Sequence, residues 1–197
     1  METLSAQLVV LGAGPGGYAA AFAAADQGLA VTLIDRESNP GGVCLHRGCI
    51  PSKALLHVAH VIEDADAVRA CGVNFSSPAI ELDRLREWKR GVVAKLTAGV
   101  GQLARQRKIE YIQGDALFAG PDSLAVRRAD GSEVAVRFEH CILATGSRAA
   151  VIPSLATDSA RLLNSTDALD LPSIPRSLLV VGGGYIGLEL GSAYAAL

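Results

Sequence analysis

A glycine-rich turn between an apolar run and an alanine-rich run is the strongest constraint on how this chain can fold. Residues 8–11, LVVL, lead into GAGPGG, and YAAAFAAADQG then runs to Gly28. The first run is typical of a strand buried on both faces, and the second has the composition of a helix. Residues 30–34, AVTLI, follow and end at Asp35. This order predicts a βαβ unit with parallel strands.

The spacing Gly12-x-Gly14-x-x-Gly17 predicts a dinucleotide site. The first glycine allows the tight turn, the second lets the backbone approach a pyrophosphate, and the third lets helix and strand pack closely. The N–H groups at the helix start then face the phosphates. Asp35 lies 18 positions beyond Gly17, where a carboxylate would accept from a ribose hydroxyl. A glycine-rich turn that merely precedes a helix is the alternative, but the strand, helix and acid around it favour nucleotide binding.

The opening pattern occurs a second time, as LLVVGGGYIGLELG at residues 178–191. Here Gly182, Gly184 and Gly187 have the spacing of the first turn, and two such units predict two dinucleotides. The acid or base that would distinguish NAD from NADP is expected near position 205, beyond Leu197, so these residues leave that choice open. The sequence also stops inside the helix of this second unit, before its second strand. We therefore expect a fragment of a longer polypeptide, with a first domain at residues 1–150 and the start of a second at residues 151–197.

The middle of the chain predicts a mixture of helices and strands. Helical periodicity covers residues 53–70 and 82–107, and residues 109–114 resemble a strand. Alternation around ADGS predicts a hairpin over residues 123–139. Two further buried strands are predicted at residues 140–144 and 177–181, with a connection over residues 149–176.

Composition excludes several classes of protein. Of 197 residues, 50% are hydrophobic and 19% are charged, which excludes a disordered chain. A net charge of -2 gives no reason to expect nucleic acid or an anionic membrane as a partner. The apolar runs are shorter than a membrane span, and no cationic segment opens the chain. Four cysteines are too few for a disulfide-stapled secreted scaffold. A soluble cytoplasmic protein is expected.

Cys44 and Cys49, in GGVCLHRGCIPSK, allow four interpretations. A metal site would need two more ligands, and His46, His57 and His60 are near in sequence, but zinc ligand spacing is usually shorter within a pair. A structural disulfide closing so short a loop would add little stability. Unpaired core cysteines are a third possibility, which suits Cys71 and Cys141.

The fourth interpretation is a redox pair, and it accounts for more of the flanking sequence. The pair begins nine residues after Asp35. Cys49 and Pro51 mark a helix start, where the helix dipole favours a thiolate, and Lys53 places a cation nearby. A dithiol-disulfide pair next to a bound flavin can accept two electrons from a thiol and pass them on.

With these motifs in order, the sequence resembles the flavoprotein disulfide reductases, the pyridine nucleotide-disulfide oxidoreductases. The resemblance is carried by GGVCLHRGCIPSKALLH, LGAGPGGYAAAFAAADQGL, ILATGSRAAVIP and VVGGGYIGLELG, and it covers the whole chain. The residues after Cys49 are most similar to the dihydrolipoyl dehydrogenase branch. Glutathione and mercuric reductases share the cysteine spacing and both glycine turns but usually differ after the second cysteine.

The resemblance implies an α/β fold. A Rossmann-like FAD-binding domain, a parallel sheet with a β-meander, would precede the start of a Rossmann-like NAD-binding domain. It also implies site residues for each cofactor. Those for FAD are Gly12, Gly14, Pro15, Gly16, Gly17, Asp35, Arg36, Gly41, Gly42, Val43, Cys44, Cys49, Lys53, Ala116, Thr145 and Gly146. Those for NAD are Gly182, Gly184, Tyr185, Ile186, Gly187 and Glu189.

Catalytic roles follow from the same resemblance. Cys44 would be the thiol that exchanges with the substrate disulfide, and Cys49 would be the thiol that exchanges electrons with the flavin. Lys53 would lie near the reactive flavin nitrogen and pair with Glu189. Tyr185 would either shield the flavin until nicotinamide binds or be an ordinary packing aromatic.

Two positions depart from the family pattern. Asp35 stands where glutamate is commoner, which shortens the reach to the ribose. His46-Arg47 replaces a commoner Asn-Val; the family's acid-base histidine belongs to a C-terminal interface domain, so His46 is a weak candidate for that role.

The activity implied is oxidation of dihydrolipoamide to lipoamide with reduction of NAD+. The partners implied are a lipoyl domain, a 2-oxo acid dehydrogenase complex and a second subunit in a homodimer. Residues 1–197 alone are expected not to turn over. Another reductase of the same family, or a flavin-binding fragment without catalysis, are the alternatives.

Overall fold

The computed structural model describes residues 2–155 and 157–197; Met1, in the predicted first domain, and Ala156, in the predicted connection, lie outside the described residues. Within these described residues, five strands and six α-helices follow one another. The strands are β1 (Glu2–Leu11), β2 (Val31–Asp35), β3 (Glu110–Gly120), β4 (Ser123–Arg128) and β5 (Glu133–Leu143). The helices are α1 (Pro15–Asp26), α2 (Gly42–Arg47), α3 (Cys49–Ala67), α4 (Leu82–Gln106), α5 (Ser165–Leu169) and α6 (Tyr185–Ala196). Short 3-10 helices cover Val68–Cys71 and Pro153–Leu155.

The chain folds as two compact units, each made of two segments. The first unit comprises the chain through His46 together with Lys95–Ser147, and the second comprises Arg47–Ala94 and Arg148–Leu197. The domain boundary near residue 150 stays a prediction.

The first unit is a five-stranded sheet closed into a barrel. Strand β1 pairs in parallel with β2 on one side and with β5 on the other, and β2 pairs in parallel with β3. Strand β4 is antiparallel to both β3 and β5 and closes the sheet. The antiparallel meander β3–β4–β5 therefore joins the two edges of a parallel layer β3–β2–β1–β5. The predicted class, a parallel sheet with a β-meander, is confirmed.

Alternate residues of the central strands serve two separate cores. Val9 of β1 and Ile34 of β2 lie in a cluster with residues of β3, β4 and β5. Their neighbours Val10 and Leu33 lie in the other cluster, which includes Ala21 of α1. Side chains of a strand point alternately to opposite faces, so residues 8–10 of β1 and 31–34 of β2 are buried on both faces. This is why residues 8–11 are continuously apolar, whereas the first half of β1 contains polar residues and is largely exposed.

The second unit packs helices around a small apolar core. Its buried residues are Leu55, Leu169, Leu171, Leu190, Ala193 and Tyr194. On α4, Arg86 donates to the carbonyls of Leu171 and Pro172, and the buried Lys89 donates to the carbonyl of Leu169. Burial lowers the pKa of Lys89. These cationic side chains supply donors to carbonyl groups at the end of α5, which has no further turn to bond them.

One predicted strand is absent. Residues 177–181 have no strand assignment, although their sequence matches that of β1. Leu179 is 87% exposed and Val181 is 64% exposed. A strand needs neighbours for its N–H and C=O groups, and β1 has β2 and β5, whereas no strand among the described residues pairs with residues 177–181. The prediction of a strand here is wrong for this structure.

The predicted buried strand at residues 140–144 is also corrected. Residues 140–143 continue β5, and Leu143 is 62% exposed. Strand β4 pairs with β5 only as far as Arg137. Residues 140–143 therefore pair with β1 alone. An apolar segment with a neighbouring strand on only one edge can remain partly exposed.

The interpretation of Cys71 as a core cysteine is wrong as well. Cys71 is exposed at the end of the 3-10 helix Val68–Cys71. Cys141, on β5, is half-buried and packs against the barrel core. Burial raises the pKa of the Cys141 thiol, as expected of a thiol with a packing role.

The described residues contain no helix that is both long enough and apolar enough to cross a membrane.

Candidate functional site

The first glycine turn has no space for side chains at two of its positions. Gly12 has φ +98°, and a Cβ there would overlap the carbonyl oxygen of Ala144. A Cβ at Gly17 would overlap the carbonyl oxygen of Gly12. Gly14 and Gly16 differ, since a Cβ at Gly14 would lie 3.9 Å from Gly42 and one at Gly16 would meet nothing within 4 Å. Gly12 and Gly17 therefore allow the close backbone contacts within the turn. Gly14 and Gly16 leave space on its outer side that a ligand could occupy.

The helix after this turn begins without a side-chain cap. Gly14 is the N-cap of α1, Pro15 opens the first turn, and no side chain among the described residues caps the helix. By contrast, α5 has a complete capping box, in which Asn164 accepts from the backbone and Asp167 accepts from the N–H of Asn164. Uncapped N–H groups at a helix start are available to an anion. The start of α1 therefore fits a pyrophosphate.

Asp35 connects the glycine turn to the end of β2. Its Oδ2 accepts from the Ala13 N–H at 2.6 Å, and its Oδ1 accepts from the Glu37 N–H at 3.0 Å. An ionised carboxylate has about four acceptor positions, so these two bonds leave capacity for ribose hydroxyls. Asp35 thus stabilises the turn in addition to the predicted ribose role.

Strand β3 holds the segment after Asp35 through three alternate side chains that the sequence analysis missed. The Tyr111 hydroxyl donates to the Glu37 carbonyl at 2.7 Å, and the Gln113 amide donates to the Arg36 carbonyl at 3.0 Å. Asp115 forms an ion pair with Arg36. Burial, and then the charge of Asp35, raise the pKa of Tyr111, which keeps this hydroxyl a donor. Polar residues at every second position of β3 were the signal that could have revealed this contact.

The backbone of Gly42 lies against the first glycine turn. Gly42, at φ +57°, approaches Gly14 so closely that a Cβ would overlap its Cα. Gly42 opens α2, on which Val43 is 46% exposed and Cys44 is half-buried. His46 donates through Nε2 to the carbonyl of Asn39 at 3.1 Å, because a carbonyl can only accept. This bond gives His46 a structural contact, and the acid-base role stays unassigned.

The sheet register brings most of the predicted FAD residues together at one edge. Leu11 pairs with Ile34 and with Leu143, so the glycine turn, Asp35 and the exposed Thr145-Gly146 all follow the carboxyl ends of adjacent parallel strands. Gly41 and Gly42 join this edge through the Gly41 N–H, which donates to the Ala13 carbonyl at 2.8 Å. The parallel layer β3–β2–β1–β5 therefore presents these residues at its carboxyl edge, where parallel α/β sheets bind their ligands. Ala116, also predicted, lies on β3 opposite Val126 of β4.

The second unit contains Cys49 at the start of α3, as predicted. Gly48 is the N-cap, and no described side chain caps α3. Cys49 is exposed and Pro51 is buried. Of the two predicted redox cysteines, Cys44 thus lies in the first unit and Cys49 in the second.

Lys53 pairs with Glu189, as the resemblance implies. Lys53 Nζ donates to Glu189 Oε1 at 2.6 Å, with the lysine side chain 55% exposed and the glutamate side chain 26% exposed. The hydrogen bond from Lys53 holds the pKa of Glu189 below its ordinary value, and the same bond raises the pKa of Lys53. The negative charges of Cys49 and Tyr185 in their ionised forms act on Lys53 in the same direction. The second unit therefore places the Lys53 ammonium, paired with Glu189, one helical turn beyond Cys49.

The second glycine turn has the backbone features of the first. Gly182 has φ +110°, Gly184 is the N-cap of α6, and no described side chain caps that helix. A Cβ at Gly187 would lie 2.8 Å from the carbonyl oxygen of Gly182, which matches the packing role of Gly17. In the first turn of α6, Tyr185 is 72% exposed and Ile186 is 45% exposed. The choice between the two roles of Tyr185 stays open.

The histidines considered for a metal site differ in their surroundings. His57 and His60 are exposed on α3, whereas His46 bonds the Asn39 carbonyl. Across residues 2–155 and 157–197, no group of three metal-ligating side chains is assembled.

Comparison with known proteins gives matches along the whole chain. Residues 6–197 match the pyridine nucleotide-disulphide oxidoreductase family. The dihydrolipoyl dehydrogenase of Haemophilus influenzae is 50% identical over 196 residues, which is 100% of this chain and 41% of that protein. Those of Vibrio parahaemolyticus and Geobacillus stearothermophilus are 46% and 44% identical, over 100% and 98% of this chain and 41% and 40% of their own lengths. The chain spans about two fifths of the curated relatives it matches. It belongs to the pyridine nucleotide-disulphide oxidoreductase family.

Proposed function

We propose that this chain is the FAD-binding and redox-active part of a dihydrolipoyl dehydrogenase. The observation that carries the proposal is the 50% identity to such an enzyme across the whole chain, together with the Cys44/Cys49 spacing. The dithiol of dihydrolipoamide would reduce the Cys44–Cys49 disulfide, giving lipoamide and two cysteine thiols, with no net gain or loss of electrons. FAD, when bound, would accept the two electrons of this dithiol and reduce NAD+ by hydride transfer, with release of one proton.

The residues of the first unit would bind FAD. The uncapped start of α1 and the open side of Gly14 and Gly16 fit its pyrophosphate, and Asp35 retains acceptor capacity for its ribose. Gly41, Gly42, Thr145 and Gly146 would line the same edge, with Arg36 and Ala116 at the adenine end. The Asp35 carboxylate, already bonded to the turn, would keep the turn in its binding shape.

The residues of the second unit would support electron transfer. Cys49, at the uncapped start of α3, would be the flavin-side thiol, and Cys44 would exchange with the substrate. Lys53, held by Glu189, would supply positive charge near the flavin. The turn Gly182–Gly187 would bind NAD, with Tyr185 and Ile186 at its first helical positions.

We also propose that the intact polypeptide is a homodimer that accepts dihydrolipoamide from a lipoyl domain of a 2-oxo acid dehydrogenase complex. The support is the resemblance to dihydrolipoyl dehydrogenases. Light scattering on the intact polypeptide would measure its oligomeric state. The cytoplasmic location expected from the sequence stays a prediction.

The test is an assay of the intact polypeptide against dihydrolipoamide with NAD+, and against glutathione disulfide and mercuric ion with NADPH. We expect NADH formation from dihydrolipoamide and rates at least about 100-fold lower with the other two substrates, since a site built for one disulfide discriminates strongly. Preference for either of these would favour another reductase of the family.

A second measurement separates a catalytic flavoprotein from a flavin-binding fragment. Dihydrolipoamide should give the intact polypeptide a long-wavelength absorbance band that Cys49→Ser abolishes. Bound flavin with a band unaffected by Cys49→Ser would remove the role of the cysteines. Residues 1–197 alone should form no NADH, and robust turnover by them would contradict the expectation that this chain alone is inactive.

A further inference from the structure

Ser52 is a buried hydroxyl between two groups of the proposed redox site. It lies on α3 three residues after Cys49, and it is 6% exposed. Its Oγ lies 3.0 Å from the carbonyl oxygen of Cys49 and 3.2 Å from Oε2 of Glu189. The hydroxyl therefore joins the backbone of one proposed catalytic residue to the side chain of another, on a different helix.

The two oxygens of Glu189 are bound by consecutive residues of α3. Oε1 accepts from Lys53 at 2.6 Å, and Oε2 accepts from Ser52 at 3.2 Å. A carboxylate held at both oxygens cannot rotate without losing both bonds. Lys53 is 55% exposed at its side chain, so alone it would tether Glu189 through a mobile, hydrated ammonium. The Ser52 hydroxyl adds a second contact to this carboxylate, from a side chain that is buried and has fewer rotatable bonds than lysine.

A serine hydroxyl has one proton and can donate to only one acceptor at a time. Hydrogen bonds to a charged acceptor are about twice as strong as those to a neutral one. Ionised Glu189 therefore competes well with the Cys49 carbonyl for this proton. When Glu189 is protonated, the carbonyl becomes the better acceptor.

We propose that Ser52 is a positioning residue that fixes the Glu189 carboxylate and, through it, the Lys53 ammonium. The importance of this for catalysis rests on the proposed function, since Lys53 is the cation assigned there to the flavin. Ser52 need not contact substrate or cofactor. It acts by holding one end of an ion pair whose other end is the functional group.

The groups that shift the pKa values of Glu189 and Lys53 lie on α3 and α6. Among the described residues, Glu189 is influenced by Lys53 and Ser52, both on α3. Lys53 is influenced by Glu189 and Tyr185 of α6 and by Cys49 of its own helix. Loss of the Ser52 hydroxyl should therefore be felt first by Glu189.

The test is a carbon-13 NMR titration of the Glu189 carboxyl in the 197-residue chain, with its resonance assigned by Glu189→Gln. We expect Ser52→Ala to raise the pKa of Glu189, because the ionised form loses a donor. Ser192→Ala, which removes an exposed hydroxyl from the same helix as Glu189, is the matched control and should leave that pKa unchanged. An unchanged Glu189 pKa in folded Ser52→Ala would overturn the proposal.

A second pair of variants covers the case in which Ser52→Ala does not fold. Ser52→Thr and Ser52→Val have the same shape and differ in one hydroxyl, so Thr should keep the lowered Glu189 pKa and Val should raise it. Equal Glu189 titration in Thr and Val would also overturn the proposal. Both measurements are independent of flavin and substrate.

The intact polypeptide supplies a kinetic readout. Ser52→Ala should move the acidic limb of the kcat profile to higher pH, with little change in KM for dihydrolipoamide, and Ser52→Thr should restore the wild-type limb. An altered KM with an unmoved acidic limb would count against positioning of Glu189. If the wild-type polypeptide fails to oxidise dihydrolipoamide, the proposed function fails while the NMR titration still decides the role of Ser52.

Discussion

Replacement of Asp35 by alanine should destabilise the first unit even when no nucleotide is present. The wild-type carboxylate accepts from the N–H groups of Ala13 and Glu37. Ala13 is 0% exposed, so water cannot replace the lost acceptor there. An orphaned buried donor costs about 1–3 kcal/mol. The half-buried Glu37 can be hydrated and should add about 1 kcal/mol. The expected loss in the free energy of unfolding is therefore about 2–4 kcal/mol.

The assay is urea denaturation of residues 1–197 at pH 7 combined with amide hydrogen exchange at Val9 and Leu33. These residues are fully buried in β1 and β2, so their exchange reports opening of the sheet that Asp35 closes. Asp35→Ala should raise their opening equilibrium by roughly 30- to 1000-fold, which is the same 2–4 kcal/mol at about 1.4 kcal/mol per tenfold. Asp35→Asn should lie between wild type and alanine, because the amide keeps one acceptor oxygen.

The matched control is Asp130→Ala. Asp130 also accepts from a backbone N–H two residues on, that of Ser132 at 2.9 Å, but it is exposed. Water can take its place, so its loss should change the opening of β1 and β2 far less. A change below about 0.5 kcal/mol in Asp35→Ala, within the range of ordinary surface substitutions, would refute the argument that the carboxylate closes the turn.

Three further predictions follow from the same structure. Gly12→Ala should destabilise the fold by more than about 1 kcal/mol, because φ of Gly12 is positive and an added Cβ would overlap the Ala144 carbonyl. Gly16→Ala should be tolerated because a Cβ there meets nothing within 4 Å, and thermal denaturation would compare the two variants. Leu55→Ala should cost about 2–5 kcal/mol because Leu55 is fully buried, while Val61→Ala on the same helix, at a site 56% exposed, should cost little by urea denaturation. Because its folded pKa is lowered, Glu189 contributes stability that is present above its ordinary value of 4.5 and lost as the pH falls through the folded value. Lys53, with a raised pKa, contributes stability that is present below 10.5 and lost as the pH rises through its folded value. The difference in unfolding free energy between wild type and Glu189→Gln should thus be greatest at neutral pH and should vanish at extreme pH. It should be less than about 1 kcal/mol, because the Lys53 side chain is 55% exposed. A difference that does not depend on pH would exclude the ion pair as its source.

Local pattern predicted most of the elements. The two long helices, the hairpin around Gly131 and the βαβ start were all anticipated, because their signals lie within a few residues of one another. The positions of the helix starts after Gly14, Gly48 and Gly184 were likewise readable, since glycine favours turns and helix boundaries, although Gly91, Gly99 and Gly101 lie inside α4. The fold class followed from the order of these elements.

Contacts between distant residues were not readable in the same way. Ser52 and Glu189 are 137 positions apart, and Tyr111 and Glu37 are 74 apart. No local period relates such pairs. Lys53 and Glu189 were paired beforehand only because the sequence resembled a family, and Ser52, which contacts the same carboxylate, was missed.

The sequence by itself determined where the backbone can turn and which short segments are helical, because glycine, proline and alanine act on their own dihedral angles. It also determined which reactive groups the chain carries, among them the cysteine pair that follows the first glycine turn. Tertiary structure decided which apolar segments became strands. Residues 8–11 and 178–181 have the same composition, two leucines and two valines, yet among the described residues only the first segment pairs with strands on both edges. Strand formation and buried hydrogen bonds both require a partner from elsewhere in the chain, and only the folded chain supplies it.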